Sequence, residues 1–435
     1  MNSKMVFTAA GDALITRKIP DRYEGKQEII DFLAKGDIRI TNLETTITDF
    51  DCFPSSFSGG TWLTAKENLL EDLKKYGFDT YSVANNHMLD YSFPGLWETL
   101  QKLSAHRMEF TGAGKNLEDA AKPVVWEKKQ GISAFLALTS TFDDSARAGV
   151  QGPYLPARPG INPLRHQEIY LVSAEQMKWL QEIAESSCVN VKNKRRLKTG
   201  YKLSSDQAVF EFKDMKFQES EKMGKKTTAA MVDIHRTTES ISKLKKEGAY
   251  VAVMIHSHEM KDDSMESIDD FVRESAHAFI DGGADLILGG GCHQMKGIEL
   301  YQGKPIFYSL GNFIYQNEAV EILPPDFMEK YHLPYTTSAS EALAARRSHA
   351  KNGGLQAQEN YLSFIPAVTF IDGQCTSIEL LPISLGYDKE GAYKAIPYPA
   401  AEEETKTIFQ TLTRLSKPFG TNLNLEDGLI KVSLS

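Results

Sequence analysis

Short apolar runs that stop at glycine or at a polar residue alternate along this chain with stretches of helical spacing. Residues 5–10 (MVFTAA) are apolar and end at Gly11-Asp12, which predicts a strand followed by a loop. Residues 26–35 place Ile29, Ile30, Phe32 and Leu33 on one helical face, with Gly36 as the stop. Residues 38–40 are strand-like and lead into Thr41-Asn42-Leu43-Glu44. A helix is predicted over 66–76, a strand over 78–84 that ends in Asn85-Asn86-His87, and a helix over 94–103 with proline near its first turn. Residues 132–139 read as a strand. Ser173 with Gln176 three residues on forms a capping box that opens a helix over 173–184. Residues 250–255 (YVAVMI) read as a buried strand ending on His256; 267–281 follow as a helix, then 285–288 and 305–313 as strands. Residues 364–371 and 376–382 flank Asp372-Gly373, a hairpin signal.

Strands alternating with helices predict a layered α/β domain. The chemically useful side chains repeatedly fall just past the C-terminal end of a strand, where loops of open α/β sheets converge. Two segments break the rhythm. Residues 192–202 (KNKRRLKTGYK) carry six basic residues and no acid, and 317–359, with Pro324-Pro325 and Gly353-Gly354, are polar and irregular. Both read as loops or insertions. The tail after about Leu385 is acidic and then amphipathic around 405–415, and reads as an extension.

Composition narrows the class. The chain has 435 residues, 41% of them hydrophobic and 25% charged, as in an ordinary soluble protein able to bury a large core. A net charge of −9 offers no general attraction to nucleic acid or anionic membrane. The four cysteines, Cys52, Cys188, Cys292 and Cys375, are scattered and form no CxxC pair, against a disulfide framework or a thiolate zinc knuckle. The N-terminus lacks an apolar signal-peptide core, and no stretch has the apolar length of a membrane span, so a cytoplasmic protein is expected.

Five strand-end positions carry groups suited to a divalent cation: Asp12, Glu44, Asn86 beside His87, His256 with His258 two residues on, and His293. Carboxylates, imidazoles and an amide oxygen make a mixed nitrogen and oxygen set that suits Mn, Fe or Zn rather than calcium, with one or two ions. A coordination position left to water permits Lewis-acid chemistry. Asn86 offers an amide oxygen to the metal while His87 moves a proton. Asp90, three residues after His87, orients that ring if the segment turns helically. The run Lys192–Lys202 is a candidate grip for an anionic partner. Arg158 and Arg165, in ARPGINPLR, are candidates for capturing a substrate carboxylate.

The blocks AAGDAL, TNLETTIT, VANNHMLDYSFPGLWETL, FTGAG, MIHSHE and IELYQGKPIFYSLGNFIY occur in the order found in one family. By them the chain resembles the CapA-like capsule-synthesis proteins of the calcineurin-like metallophosphoesterase superfamily, over roughly residues 5–385. The resemblance implies a four-layer α/β/β/α sandwich with insertions and a metal site at the strand ends. It implies a domain over 1–385 with an insertion at about 142–245, and an extension over 386–435. Position by position, Asp12 matches the first-motif aspartate, Glu44 the acidic residue of the second motif, Asn86 and His87 the asparagine–histidine pair, His256 the lone histidine and His293 the last histidine of its block. There are departures. Gly291 stands where the family usually has histidine, Cys292 where it has proline, and Ser257-His258 where it has Trp-Gly. No histidine follows Asp12 at two residues. These point to a mononuclear site, or one completed by His258 or Cys292.

The resemblance implies a metal-dependent enzyme linked to poly-γ-glutamate capsule synthesis, hydrolysing a γ-glutamyl or other carboxylate-bearing, peptide-like substrate with His87 as proton donor. Peptide epimerisation is the alternative, with His87 as one base and His258 or Cys292 as the other. A third reading is a polymer-binding component of a capsule complex without catalysis.

Overall fold

The strand Lys4–Leu14 alternates its side chains between two cores. Met5, Phe7 and Ala9 enter one and Ala10, Ala13 and Leu14 the other, with the period expected of a pleated strand buried on both faces until a bulge at Asp12–Ala13 breaks it. In this computed structural model, which describes residues 4–204, 208–350 and 357–434, that strand lies inside the larger of two main sheets.

The larger sheet has ten strands. From one edge they run Leu423–Glu426, Leu429–Val432, Gln374–Ser384, Leu362–Ile371, Lys4–Leu14, Ile38–Leu43, Thr80–Ser82 and Glu109–Thr111, with Asn312–Tyr315 also pairing to Lys4–Leu14 and Tyr398–Pro399 to Gln374–Ser384. The second sheet has six: Ile298–Tyr301, Lys304–Phe307, Leu286–Gly291, Tyr250–Ser257, Gly131–Thr139 and Val124–Lys128. One core joins the facing sides of both sheets, through Phe7, Ile40, Phe364 and Phe370 from the larger and Phe135, Met254, Leu288 and Phe307 from the smaller. A second packs the far side of the larger sheet against the helices Lys26–Leu33 and Ser92–Ala105. A third packs the far side of the smaller sheet against Met231–Lys246 and Asp270–Asp281. The architecture is mixed α/β.

Local signals behave as physical chemistry dictates. Ser173 caps the helix Ala174–Ser186 through a reciprocal pair of bonds with Gln176. Asp372 and Gly373 turn the long hairpin with positive φ at both residues. The sequence expectation of a single strand over 305–313 is corrected. Lys304–Phe307 belongs to the smaller sheet and Asn312–Tyr315 to the larger, so the chain crosses between sheets at Tyr308–Gly311. Gly311 makes the crossing possible at φ +78, and its carbonyl lies where a Cβ on Gly11 would sit, 1.9 Å away.

Residues 192–202 are also corrected: Val191–Lys198 is a helix, exposed on every side. Residues 317–359 hold the helices Pro325–Lys330 and Ala339–Ser348; Gly353-Gly354 lies outside the described residues. Between Arg165 and Met231 a small sheet stands apart, ordered Val209–Phe212, Met215–Glu219, His166–Val172, Gly224–Ala229. The tail after Leu385 packs the helix Glu402–Ser416 through Ile408 and Leu412 into the core between the sheets and adds three strands to the larger sheet. Among the described residues no helix is long and apolar enough to cross a membrane.

Candidate metal centre

Asp12 sits at a bulge near the end of its strand, level with Asn42 on one neighbour and Asn312 on the other. Its Oδ1 accepts from the Asn42 amide at 2.8 Å and its Oδ2 from the Gly291 N–H at 2.7 Å. The glycine run makes room for it: a Cβ on Gly290 would stand 2.6 Å from Asp12 Oδ1, and Gly291 adopts φ +105. Burial pushes the Asp12 carboxyl up, but His256 and the Gly291 bond outweigh it and leave the group below its usual range, ionised.

Glu44 follows the neighbouring strand Ile38–Leu43 and is fully buried. Neither of its carboxylate oxygens has a hydrogen-bond donor. Burial, then the negative charge of Asp12 and Asp90, push its carboxyl well above the ordinary range. A buried carboxylate with four empty lone-pair sites is costly unless a cation fills them.

The strand Tyr250–Ser257 delivers His256 to the same place. Its Nε2 is 2.7 Å from Asn86 Oδ1, 3.2 Å from His258 Nε2 and 3.4 Å from Glu44 Oε1. Ligand atoms of Glu44, His256 and His258 lie within 4.8 Å of one another, close enough to share one ion, with the Asn86 oxygen beside them. Asn86 Nδ2 donates to Gly59 O at 2.8 Å, which turns its oxygen inward. Burial, and after it the charge of neighbouring groups, His256 first, push His258 well below its usual value, so it is neutral.

His293, two residues past the glycine run, occupies a positive φ of 62. Its ligand nitrogen groups with Asp12 and Glu44, all within 4.8 Å of one another, as do Glu44, His256 and His258. Burial lowers its pKa to about 4, with Asp12 and Asn312 acting against it, so it too is neutral. Glu44 belongs to both groups.

His87 lies on the turn after Thr80–Ser82. Its Nδ1 is 2.7 Å from Asp90 Oδ2, and Asp90 accepts two backbone N–H groups as well, from Gly59 at 2.9 Å and Leu63 at 2.8 Å. A carboxylate so occupied requires the His87 proton on Nδ1. Nε2 then points toward Glu44, 4.0 Å away.

Three sequence candidates stand differently. Cys292 is buried beside the cluster, with Sγ 3.2 Å from the Gln294 carbonyl. Arg165 is not turned to the cluster: it closes its fork on Asp233, with Nε and a terminal nitrogen each at 2.8 Å. Arg158 gives its Nε to the Arg147 carbonyl at 2.7 Å. Sequence reading passed over Asn42, which ties Asp12 to His256, and Asn85, which donates to Asn42 Oδ1 at 3.1 Å and accepts from the His87 N–H at 3.1 Å. The signal was there in the asparagine doublet and in TNLE, since buried asparagines at strand ends have bonds to satisfy.

The donor set therefore suits a divalent cation: two carboxylates, three imidazoles and an amide oxygen, one carboxylate with no other partner. Comparison with known proteins gives the family. Residues 6–317 match a family described as bacterial capsule synthesis protein PGA_cap. The chain is 29% identical over 439 residues to the uncharacterized proteins y4sH and y4uA of Sinorhizobium fredii, covering 98% of this chain and 93% of each of them. It is 26% identical over 254 residues to the PGA biosynthesis protein CapA of Bacillus subtilis, covering 58% of this chain and 46% of that protein.

Proposed function

We propose, from the premise that this chain belongs to the bacterial capsule synthesis protein family PGA_cap, that it is a metal-dependent enzyme acting on a γ-glutamyl or similar carboxylate-bearing peptide bond. The two facing sheets with helices on both outer sides are read as the four-layer metallophosphoesterase sandwich. The observation that carries the reading is Glu44, a buried carboxylate without donors, ringed by Asp12, His256, His258 and His293.

A divalent cation held by these residues and Asn86 supplies Lewis acidity to a substrate carbonyl. The protein's own groups do the rest. Asn312 fixes the orientation of the His293 ring, and the Gly59 carbonyl that of the Asn86 amide, whose oxygen faces His256. Asp90 holds the His87 proton on Nδ1 and steadies the imidazolium that forms when Nε2 takes a second proton. Water adding to the carbonyl carbon gives that proton to Nε2, which passes it to the leaving nitrogen as the C–N bond breaks, so the products are a carboxylic acid and an amine and the reaction is hydrolysis.

Epimerisation of a peptide Cα is the second reading. It draws on the placement of two imidazoles, His87 and His258, 4.0 and 3.9 Å from the same Glu44 oxygen. The test is incubation of the metal-loaded protein with γ-glutamyl oligomers in deuterated water. Chain shortening with no deuterium at Cα is the expected result. Deuterium at Cα without shortening replaces hydrolysis with epimerisation, and neither change with any γ-glutamyl or α-linked glutamyl oligomer sinks both.

A further inference from the structure

Lys296 lies three residues after His293 and is 4% exposed, the least of the buried lysines among the described residues. The others are accounted for. Lys102 pairs with Glu98 at 2.7 Å and Asp49 at 3.0 Å. Lys26 reaches the carbonyls of Pro20 and Asp21 beside the rings of Tyr23 and Tyr76. The Lys296 ammonium has one contact, 3.5 Å to the carbonyl of Glu259, and no ion pair with a described carboxylate.

An ammonium has three hydrogens to place, and a buried one left unpaired is costly. The side chain of the residue it touches does not serve it. The carboxylate of Glu259 is occupied by hydroxyls, from Ser140 at 2.6 Å, Thr141 at 3.0 Å and Ser257 at 2.8 Å. Its contact places the charge beside the metal cluster, since Glu259 is the residue after His258, and Lys296 is among the positive groups that act on the His258 ring. Backbone bonding fixes the base of the side chain, through Lys296 N–H to Ser309 O at 3.2 Å.

We infer that Lys296 is the anion-holding group of this centre: its ammonium takes an oxyanion of the bound ligand beside His258, a carboxylate of the substrate. The identity of that ligand rests on the proposed function; the existence of the subsite does not. The shared chemistry is a small oxyanion, and phosphate would satisfy the same three hydrogens.

The experiment is calorimetric titration of manganese-loaded wild type, Lys296→Met, Lys296→Gln and Lys296→Arg, after metal analysis of each. The probes are γ-glutamylglutamate and, separately, inorganic phosphate. Lys296→Met and Lys296→Gln should keep their metal and lose at least about tenfold in affinity, the worth of a charge-assisted hydrogen bond, while Lys296→Arg keeps most of it. Unchanged affinity for both anions in Lys296→Met overturns the subsite, as does failure of wild type to bind either. Loss of metal in place of loss of anion affinity would make Lys296 a support for His258 and overturn it too. If phosphate binding depends on Lys296 while wild type ignores the dipeptide, the subsite stands and the peptide substrate falls.

Discussion

Asn312 holds His293 in a single tautomer. The Asn312 amide nitrogen donates to the carbonyls of His293 and Asn360, at 3.2 and 2.9 Å, so its oxygen must face His293 Nδ1, 3.0 Å away, and accept from it. The proton is thereby kept on Nδ1 and Nε2 is left with its lone pair. Asn312→Ala should weaken metal affinity by about 10–100-fold while the fold persists. Competition titration with a chelating dye checks it; an unchanged affinity would remove Asn312 from the site.

Glu44→Gln keeps the shape and removes the charge. Metal-saturated wild type should melt higher than its chelated form, by about 3–4 kcal/mol of added stability at 100 to 1,000 times the dissociation constant. The variant should show no such rise at the same metal concentration. Thermal scans with and without metal decide it, and an equal rise in both proteins would mean that the ion sits elsewhere.

His87→Ala and Asp90→Asn should part company. The first should cut turnover by about 10²–10⁴-fold and leave metal content intact. The second should lose activity and also about 1–3 kcal/mol of stability, because Asp90 also terminates the Gly59 and Leu63 backbone N–H groups. Urea unfolding measured beside activity distinguishes them.

Acid sensitivity should have a source far from the metal. Burial pushes Asp233 up, but the bond from Arg165 and the charge of Arg236 outweigh it and leave the carboxyl below its ordinary value in the folded chain. A lowered folded pKa gives stability that is full above about pH 4, the unfolded value, and lost as pH falls through the folded one. Asp233→Asn should therefore cost stability at pH 7 and progressively less in denaturation series taken below pH 4. A penalty that stays constant with pH would remove the ion pairs as the cause.

Much of this was legible in the chain because each strand end announces itself. An apolar run followed at once by Asp12, Asn86 or His256 fixes both a strand and the side chain at its mouth, and folding gathers those mouths. Glu44 was readable by the same rule. The carboxylate-capture role for Arg165 was not safe to read, because an arginine says nothing of the acid awaiting it, and Asp233 lies 68 residues away. Lys296 was invisible for the opposite reason: a lysine near glycines reads as solvated unless its burial is known. The run 305–313 concealed a change of sheet, since period and polarity are the same on either side of Gly311 and only its backbone angle marks the break.

The bond from Gly291 to Asp12 joins residues 279 apart in sequence. One comes from each sheet, so no half of the protein can make the cradle alone. Such distant closures come late in folding, after the nearer contacts have repaid their entropy. A cation held there would act as a rivet through two plates: a nascent chain would gain nothing from it until the last strands of both plates had met, and a mature one would give it up only when they part.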